Sequence, residues 1–183
     1  MLKKSVQISI IIFFLIILTS CVQSKTQEIF TIKNISMKLT SAGFLNNSNL
    51  PAKYTCDGQK INPALQISEV PALAQSLVLI FEDPDAPAGT FVHWLVWNID
   101  PKTIEIAENS LPEGAKQGLT SAGRTGYVPP CPPSGIHHYT FKLYALDTVL
   151  NLTPNAGKDN LEQAMHGHIL DSAELISLYS RKK

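Results

Sequence analysis

The fold is decided by an apolar run and the polar loop that follows it, Leu77-Val-Leu-Ile-Phe81 and Asp83-Pro-Asp-Ala-Pro87. Five consecutive apolar residues are typical of a short strand buried on both faces. The prolines restrict the loop, and loops on a rigid scaffold commonly carry binding residues. Asp83 is therefore either a turn residue that accepts hydrogen bonds from backbone amides or a ligand-binding residue, whereas Asp85 is expected in a turn. The Ala86–Pro87 bond is a candidate cis peptide.

Two further segments have the β-branched and aromatic composition of strands, Thr90 to Ile99 and His137 to Leu146. Successive side chains of a strand point to opposite faces. In the first strand this predicts a shared face for Phe91, His93, Leu95 and Trp97. In the second it predicts a shared face for His137, Tyr139, Phe141 and Leu143. His138 then points to the opposite face, so the two adjacent histidines are expected in different environments.

The rest of the chain carries weaker signals. Ile35, Met37 and Leu39 alternate with polar residues, as in a half-buried strand. Asn46 to Asn49 is typical of a turn. Lys158 to Met165 predicts a short helix, and a strand is expected after Gly167. No internal repeat or second domain is visible, so the pattern favours a mainly β sandwich with minor helix over an alternating α/β fold.

The N-terminus has the pattern of a bacterial lipoprotein signal. Lys3 and Lys4 precede nine consecutive apolar residues, Ile10 to Leu18, a run far shorter than the roughly 20 residues that cross a bilayer. It ends in Leu18-Thr-Ser-Cys21, which resembles a lipobox, whose cysteine is acylated and becomes the first residue. We expect a signal peptide over 1–20, lipidation of Cys21, a polar tether over 21–34 and one domain over 35–183, held on the extracytoplasmic side of a bacterial membrane. An ordinary secretory signal is the alternative.

The charge balance of the chain bears on whether it binds nucleic acid. The chain has 15 basic and 15 acidic residues, and removal of Lys3 and Lys4 leaves 13 basic ones. Such a balance, with a basic run only at the C-terminal end, argues against nucleic acid as a partner.

Cys56 and Cys131 are candidates for a disulfide, because two thiols left outside the cytoplasm often pair. Neither belongs to a Cys-x-x-Cys motif, so a zinc site is less favoured.

Four side chains near the strand ends carry the candidate chemistry: Asp83, His93, His137 and Tyr139. Imidazoles and a phenol can donate hydrogen bonds to anionic oxygens, with Asp83 holding one imidazole in the tautomer that donates outward. The alternative is that these histidines are buried core residues that bind no ligand. A metal site from the carboxylate and the two imidazoles is not required by the pattern. Since Gly-x-Ser-x-Gly and His-Glu-x-x-His motifs are missing, a binding protein is favoured over a hydrolase that uses the same pocket, perhaps with a metal.

These residues belong to a longer series of motifs. The series is Tyr54-Thr-Cys-Asp-Gly58, Asp83-Pro-Asp-Ala-Pro87, His93-Trp94, Gly126-Tyr127, Cys131-Pro-Pro133 and His137-His-Tyr139. In order and spacing it resembles the phosphatidylethanolamine-binding protein family, which includes the Raf kinase inhibitor protein and its bacterial relatives. Two positions depart from the usual bacterial pattern, since Val128-Pro129 replaces glycines and His138 replaces an arginine.

The resemblance implies an antiparallel β-sandwich with a small anion pocket at one end. It implies ligand binding by Asp83, His93, Pro133, His137 and Tyr139, with no catalytic residue, cofactor or metal. The implied ligands are phosphate, a phospholipid head group such as phosphorylethanolamine, or an acetate-like anion. Members of the family mostly act by binding, so the resemblance also implies modulation of a protein partner.

The lipoprotein interpretation predicts a specific labelling result. Radiolabelled palmitate should be incorporated into the wild-type protein and not into Cys21→Ala, because only the cysteine thiol can take the lipid at this position. The labelled protein should fractionate with membranes. A wild-type protein that stays unlabelled and water-soluble would remove the lipid anchor.

Overall fold

The computed structural model describes residues 36–181. The signal peptide over 1–20, Cys21, the tether over 21–34 and the first residue of the expected domain lie outside the described residues, so these assignments stay predictions. Within 36–181, no helix combines the length and the apolar character needed to cross a membrane.

The described residues form nine strands and one α-helix, which we number in chain order. The strands are β1 (Lys38–Thr40), β2 (Ser48–Asn49), β3 (Leu65–Ser68), β4 (Ser76–Asp83), β5 (Phe91–Ile99), β6 (Glu105–Ile106), β7 (Lys116–Gln117), β8 (His137–Leu146) and β9 (Ile169–Tyr179). The helix α1 is Lys158–Met165, as the sequence predicts. A single turn of 3-10 helix covers Ala52–Tyr54.

The strands form two sheets. A small sheet has the order β1-β3-β6, and a large sheet has the order β2-β9-β8-β4-β5-β7. Neighbouring strands run antiparallel except for β2 and β9, which pair in parallel. The mainly β sandwich with minor helix is thereby confirmed. The strand predicted after Gly167 is also present, as β9.

Two local predictions are wrong. The segment Asn46 to Asn49 is not wholly a turn, because Ser48 and Asn49 pair with Ser177 and Leu178 at the edge of the large sheet. A turn-rich composition does not reveal such a pairing, since it depends on β9, which lies far along the chain. The Ala86–Pro87 bond is trans, like every peptide bond of the described residues.

Two apolar clusters cover the two faces of the large sheet. The first lies between the sheets and joins Leu65 of β3 to Phe81 and Phe141 of β4 and β8. The last two rings stack with 3.8 Å between their centroids. The second cluster lies on the opposite face, where Leu161 of α1 packs with Ile80 of β4. Strand β4 is therefore buried on both sides along its whole length, as its continuous apolar run predicts.

Strand β5 carries an extra residue at His93. Phe81 of β4 pairs with Trp94, but the next residue of β4, Glu82, pairs with Val92. His93 has no residue opposite it in β4, which is the arrangement of a β-bulge. The extra residue of a bulge shifts the alternation of side chains by one position. A side chain at a bulge can therefore lie on the face opposite to the one that regular alternation predicts.

The bulge corrects one prediction about faces. His93 does not share a face with Leu95 and Trp97, which pack in the cluster beside the helix. Its ring instead lies 5.3 Å from that of Phe81 and 5.4 Å from that of Tyr139, on the side of the cluster between the sheets. The alternation predicted for β8 is correct, because Tyr139 and its neighbours at even spacing belong to that same cluster.

Glu82 ties the helix to the sheet. Its carboxylate is only 4% exposed. It accepts hydrogen bonds from Lys142 of β8 at 2.8 Å and from Lys158 of α1 at 2.6 Å. Burial alone would raise the pKa of Glu82, but the two ammonium groups outweigh it and hold that pKa below its usual value. The charged form is therefore the one that the fold stabilises.

We expect Glu82→Gln to lower the free energy of unfolding by about 2 kcal/mol near neutral pH, because the amide gives up both ion pairs. Since the pKa is depressed in the folded state, the contribution of Glu82 is present above the unfolded pKa of about 4.3 and is lost as pH falls through the folded value. Urea denaturation of both proteins near neutral pH and near pH 3 measures this difference.

Glu113→Gln serves as the control, since Glu113 is an exposed carboxylate in a loop. That substitution should change the free energy of unfolding by less than about 0.5 kcal/mol. A wild-type advantage over Glu82→Gln that does not shrink in acid would contradict the assignment of this charge to the stability of the fold.

Candidate functional site

A small cavity lies where β4 ends and β5 and β8 begin. Because these three neighbours run antiparallel, the polar end of β4 meets the first residues of the other two. The cavity has a volume of about 200 Å³. It is lined by Asp83, Ala86, Pro87, Phe91, His93, Val128, Pro129, Cys131, Pro132, Pro133, His137 and Tyr139. The structure thus brings all five predicted ligand-binding residues to one place.

Asp83 uses both of its oxygens within the protein. The carboxylate is 3% exposed. Its Oδ2 accepts a hydrogen bond from Nδ1 of His137 at 2.7 Å, and its Oδ1 accepts one from the backbone N–H of Asp85 at 2.9 Å. The second bond is the turn role that an Asp-Pro sequence suggests. Asp83 therefore orients His137 and fixes the loop, and it acts on a ligand through the imidazole.

The bond to Asp83 decides what His137 presents to the cavity. A carboxylate only accepts, so Nδ1 of His137 carries the proton. In a neutral ring the other nitrogen, Nε2, is then an acceptor, and it becomes a donor only in the imidazolium. The expectation that Asp83 selects a tautomer that donates outward is therefore wrong. A donor at Nε2 requires the imidazolium, whose charge would lie 2.7 Å from the Asp83 carboxylate.

His93 is held in the same tautomer by a different partner. Its Nδ1 donates to the backbone carbonyl of Val128 at 2.8 Å. The side chain is 4% exposed, and this burial lowers its pKa, while the bond to Val128 and the charge of Asp83 act in the opposite direction. Protonation is thus disfavoured at His93.

Tyr139 closes the inner wall of the cavity. The residue has no exposed surface, and its hydroxyl makes no hydrogen bond within the described residues. Burial and then the nearby charge of Asp83 raise the pKa of Tyr139, so the phenol keeps its proton. The ring lies 5.4 Å from that of His93 and 6.2 Å from that of His137, between the two imidazoles.

The outer wall is the segment 127–133, which is cross-linked to Cys56 just after the 3-10 turn. The structure joins Cys56 and Cys131 in a disulfide, with 5.4 Å between the Cα atoms. The backbone N–H of Cys56 donates to the carbonyl of Pro130 at 3.0 Å. The hydroxyl of Tyr127 donates to the carbonyl of Tyr54 at 2.8 Å. These links, added to the stiffness of the prolines, hold the wall in one position.

Sequence reasoning missed a second aspartate–histidine pair beside the first. His138 points away from the cavity, as expected, and its ring Nδ1 donates to Oδ2 of Asp85 at 2.7 Å. The backbone N–H of His138 donates to the same oxygen at 2.8 Å, and these bonds lower the pKa of Asp85. The available signal was the repetition in both motifs, Asp-Pro-Asp and His-His. Among residues 36–181, no group of histidine, cysteine, aspartate and glutamate side chains is arranged to hold a metal ion.

Known proteins are similar to this chain in sequence and in fold. The family model described as phosphatidylethanolamine-binding protein matches residues 40–180. The UPF0098 protein of Methanothermobacter thermautotrophicus is 47% identical over 150 residues, which are 79% of this chain and 99% of that protein. The UPF0098 protein PH1269 of Pyrococcus horikoshii is 50% identical over 159 residues, which are 82% of this chain and 79% of that protein.

Two solved structures match the fold. A phosphatidylethanolamine-binding protein homolog from Chlamydia trachomatis, CT736, has a TM-score of 0.79 and 44% identity, covering 81% of this chain and 99% of its own. YbcL of E. coli, described as a member of the mammalian family, has a TM-score of 0.76 and 28% identity, covering 80% of this chain and 99% of its own. By sequence and by fold, the chain belongs to the phosphatidylethanolamine-binding protein family.

Proposed function

We propose that this chain is a lipid-anchored, extracytoplasmic binding protein whose cavity takes a small anion of the phosphate or phosphomonoester type. Family membership supports a binding protein. The anchor rests on the lipobox-like Leu18-Thr-Ser-Cys21. The choice of an anion rests on the hydrogen-bonding groups of Tyr139 and His137, which line the cavity.

The hydroxyl of Tyr139 is the observation that carries the proposal. It is buried and makes no hydrogen bond within the described residues. Leaving a buried polar group without a partner costs about 1–3 kcal/mol, and folded proteins rarely do so without a reason. Tyr139 lines the cavity, and its hydroxyl has no exposed surface, so a small shift of the side chain on binding would let an oxygen of the ligand accept this bond. Since the phenol keeps its proton, it favours an acceptor-rich ligand.

His137 supplies the charge that an anion needs. An imidazolium at His137 would lie 2.7 Å from the Asp83 carboxylate, and the protonated ring would present an Nε2–H donor. The phenol and the imidazolium can then donate to two oxygens of one ligand. Binding is linked to proton uptake, so affinity should weaken as pH rises through the range in which imidazoles lose their proton.

The volume of the cavity limits the ligand. About 200 Å³ is available, which is below the 300 to 1,000 Å³, roughly, of pockets that hold drug-sized molecules. Only a phosphate, a carboxylate or the head group of a larger molecule fits inside. The exposed rim, which includes Pro87 and Pro133, leaves the remainder of such a molecule outside.

The hydrolase alternative gains no support from the family match. The described residues that line the cavity include no serine, threonine or lysine, and Cys131 is engaged in the disulfide. Modulation of a protein partner belongs to the proposal through the family resemblance alone, and no surface is assigned to it.

Tyr139→Phe should separate ligand binding from folding. Removal of the unpartnered hydroxyl should leave the free energy of unfolding unchanged or raise it by up to about 1 kcal/mol. The same change should weaken binding of methyl phosphate about 5- to 10-fold, the scale of one neutral hydrogen bond. Urea denaturation and isothermal titration calorimetry on the full chain in detergent micelles measure the two effects.

Tyr144→Phe is the matched control, because Tyr144 lies on the same strand but packs against the cluster beside the helix. It should leave methyl phosphate binding unchanged. Equal affinities of wild type and Tyr139→Phe would show that this hydroxyl does not contact the ligand.

His137→Ala should cost about 1.5–3 kcal/mol of methyl phosphate binding, the value of a charge-assisted hydrogen bond. His138→Ala should cost almost nothing, because its exposed ring bonds to Asp85 and lies outside the cavity lining. Calorimetry at several pH values compares the two variants. Equal losses, or no binding of methyl phosphate by the wild type at any accessible pH, would overturn the pocket assignment.

A further inference from the structure

The large sheet has a second end, opposite the cavity, which we call the far end. Strand β4 starts there at Ser76, which pairs with Leu146 at the end of β8, and Leu146 pairs in turn with Ile169 at the start of β9. Strand β5 finishes there as well, because Ile99 pairs with Leu77. A strand rises about 3.3 Å per residue, so the 10 residues of β8 place the far end roughly 30 Å from the cavity.

Five large apolar side chains are exposed at the far end. Leu73, in the loop that leads into β4, is 77% exposed, and Ile104, between β5 and β6, is 78% exposed. Val149 follows β8, and Ile169 and Leu170 begin β9. We call these five side chains the far-end patch.

Hydrogen bonds bring the segments of the patch together. The hydroxyl of Ser76 donates to the carbonyl of Thr148, one residue before the patch. The carbonyl of Ile104 accepts from the backbone N–H of Ile67 at 2.8 Å, near the end of β3 that leads into the loop of Leu73. Eight large apolar side chains are exposed among residues 36–181, and the patch holds five of them. Exposed apolar residues are normally scattered, whereas their concentration at one place marks an interaction surface.

The described part of the chain begins at the same end. The backbone N–H of Met37 donates to Oδ2 of Asp171 at 2.7 Å, and the hydroxyl of Ser36 lies 3.4 Å from Oδ1. Asp171 is the third residue of β9 and pairs with Ala145, next to the last residue of β8. Ser36 therefore lies beside the far-end patch.

The proposed lipid anchor is attached to the domain through Ser36. Fifteen Cα–Cα steps separate Cys21 from Ser36, and they reach at most about 50 Å when fully extended. Little of that reach is needed if the far end faces the membrane. If the cavity faced it, the chain would have to return along roughly 30 Å of sheet, and such extension costs conformational entropy.

The charges at the far end are mixed and partly paired. Lys38 forms an ion pair with Glu69 at 3.7 Å, and Nδ1 of His168 lies 2.8 Å from the carboxylate of Asp147. The described residues of this end include no cluster of lysines and arginines that would select anionic lipids. Attraction to a membrane therefore rests on the apolar side chains. The anchor raises the effective concentration of the membrane, so even a small patch can dock.

We propose that the far-end patch docks on the membrane that holds the lipid anchor, with its apolar side chains at the boundary between head groups and acyl chains. The inference rests on the lipid anchor of the proposed function. Docking gives the domain one orientation on the membrane. The mouth of the cavity then faces away from that membrane, and its ligand arrives from the aqueous side.

A fluorescent label at single positions tests the docking. An introduced cysteine is the one free thiol of each variant, because Cys21 is acylated in the proposed protein and Cys56 is bonded to Cys131. Nitrobenzoxadiazole is attached to Ile104→Cys and, as the matched control, to Ile136→Cys. The control position is an isoleucine that is 65% exposed and precedes β8 at the cavity end. Both full-length proteins are reconstituted in phosphatidylcholine vesicles that contain a nitroxide-bearing lipid.

The label on Ile104→Cys should be quenched about 3-fold more strongly than the label on Ile136→Cys, because docked apolar groups enter the membrane interface by about 5–10 Å. The control label, at the cavity end, should stay in water. Addition of phosphatidylglycerol should not increase the quenching, since the patch lacks a basic cluster.

Charged substitutions separate docking from simple attachment. With the label on Val149→Cys, Leu73→Asp should lower the quenching about 2-fold or more, because a carboxylate resists transfer out of water. Leu45→Asp should leave the quenching unchanged. It is a matched control, since Leu45 is also 77% exposed but lies beside β2, outside the patch. Both leucines are exposed, so neither substitution should unfold the domain.

Flotation of the vesicles distinguishes this inference from the proposed function. A chain that does not float with the vesicles lacks the anchor, which overturns the anchor and the docking together. A chain that floats but shows equal quenching at Ile104→Cys and Ile136→Cys overturns the docking and leaves the anchor in place. Quenching that is insensitive to Leu73→Asp also overturns the docking. A blue shift at Ile104→Cys that grows with protein concentration, without lipid quenching, would mean that a second copy of the chain covers the patch.

Discussion

Strand β4 ends in two adjacent buried carboxylates, and the need to compensate both charges organises the molecule around it. Glu82 and Asp83 are 4% and 3% exposed. A buried charge without a partner costs several kcal/mol, and neighbouring side chains of a strand face opposite layers. On one face of the large sheet, Glu82 forms an ion pair with Lys158 of helix α1. On the other face, Asp83 pairs with His137, and both residues line the cavity. One strand end thus positions the helix and the site together.

The cavity recognises its ligand by the pattern of donors and acceptors more than by charge. When His137 is protonated, its positive charge is largely offset by Asp83 at 2.7 Å. Within residues 36–181, no lysine or arginine lines the cavity. A site of this kind exerts little long-range attraction on anions, because its charges form a close pair. What remains is the fixed direction of three hydrogen-bonding groups, each held by burial or by a partner within the protein.

The elements could be predicted from the sequence, and the contacts between them could not. Leu77–Phe81 and Lys158–Met165 are predictable because apolar runs and helix start and stop signals are local. The face of His93 was assigned wrongly, since the bulge depends on how β5 pairs with β4. The bond of His138 to Asp85 depends in the same way on a loop meeting a distant strand. The assignment of Pro133 to the site required the family resemblance, and no local pattern states which imidazole bonds to Asp83.

At the bulge, His93 contributes a side chain to the cavity without forming a cross-strand pair with β4. A regular strand residue contributes both a cross-strand pair and a side chain, so its replacement disturbs the register of its neighbours. His93 has no partner opposite it in β4. Its side chain can be exchanged while the pairs on either side of it persist. This position therefore gives evolution, or a protein engineer, a place to alter what the cavity accepts without redesigning the sheet that supports it.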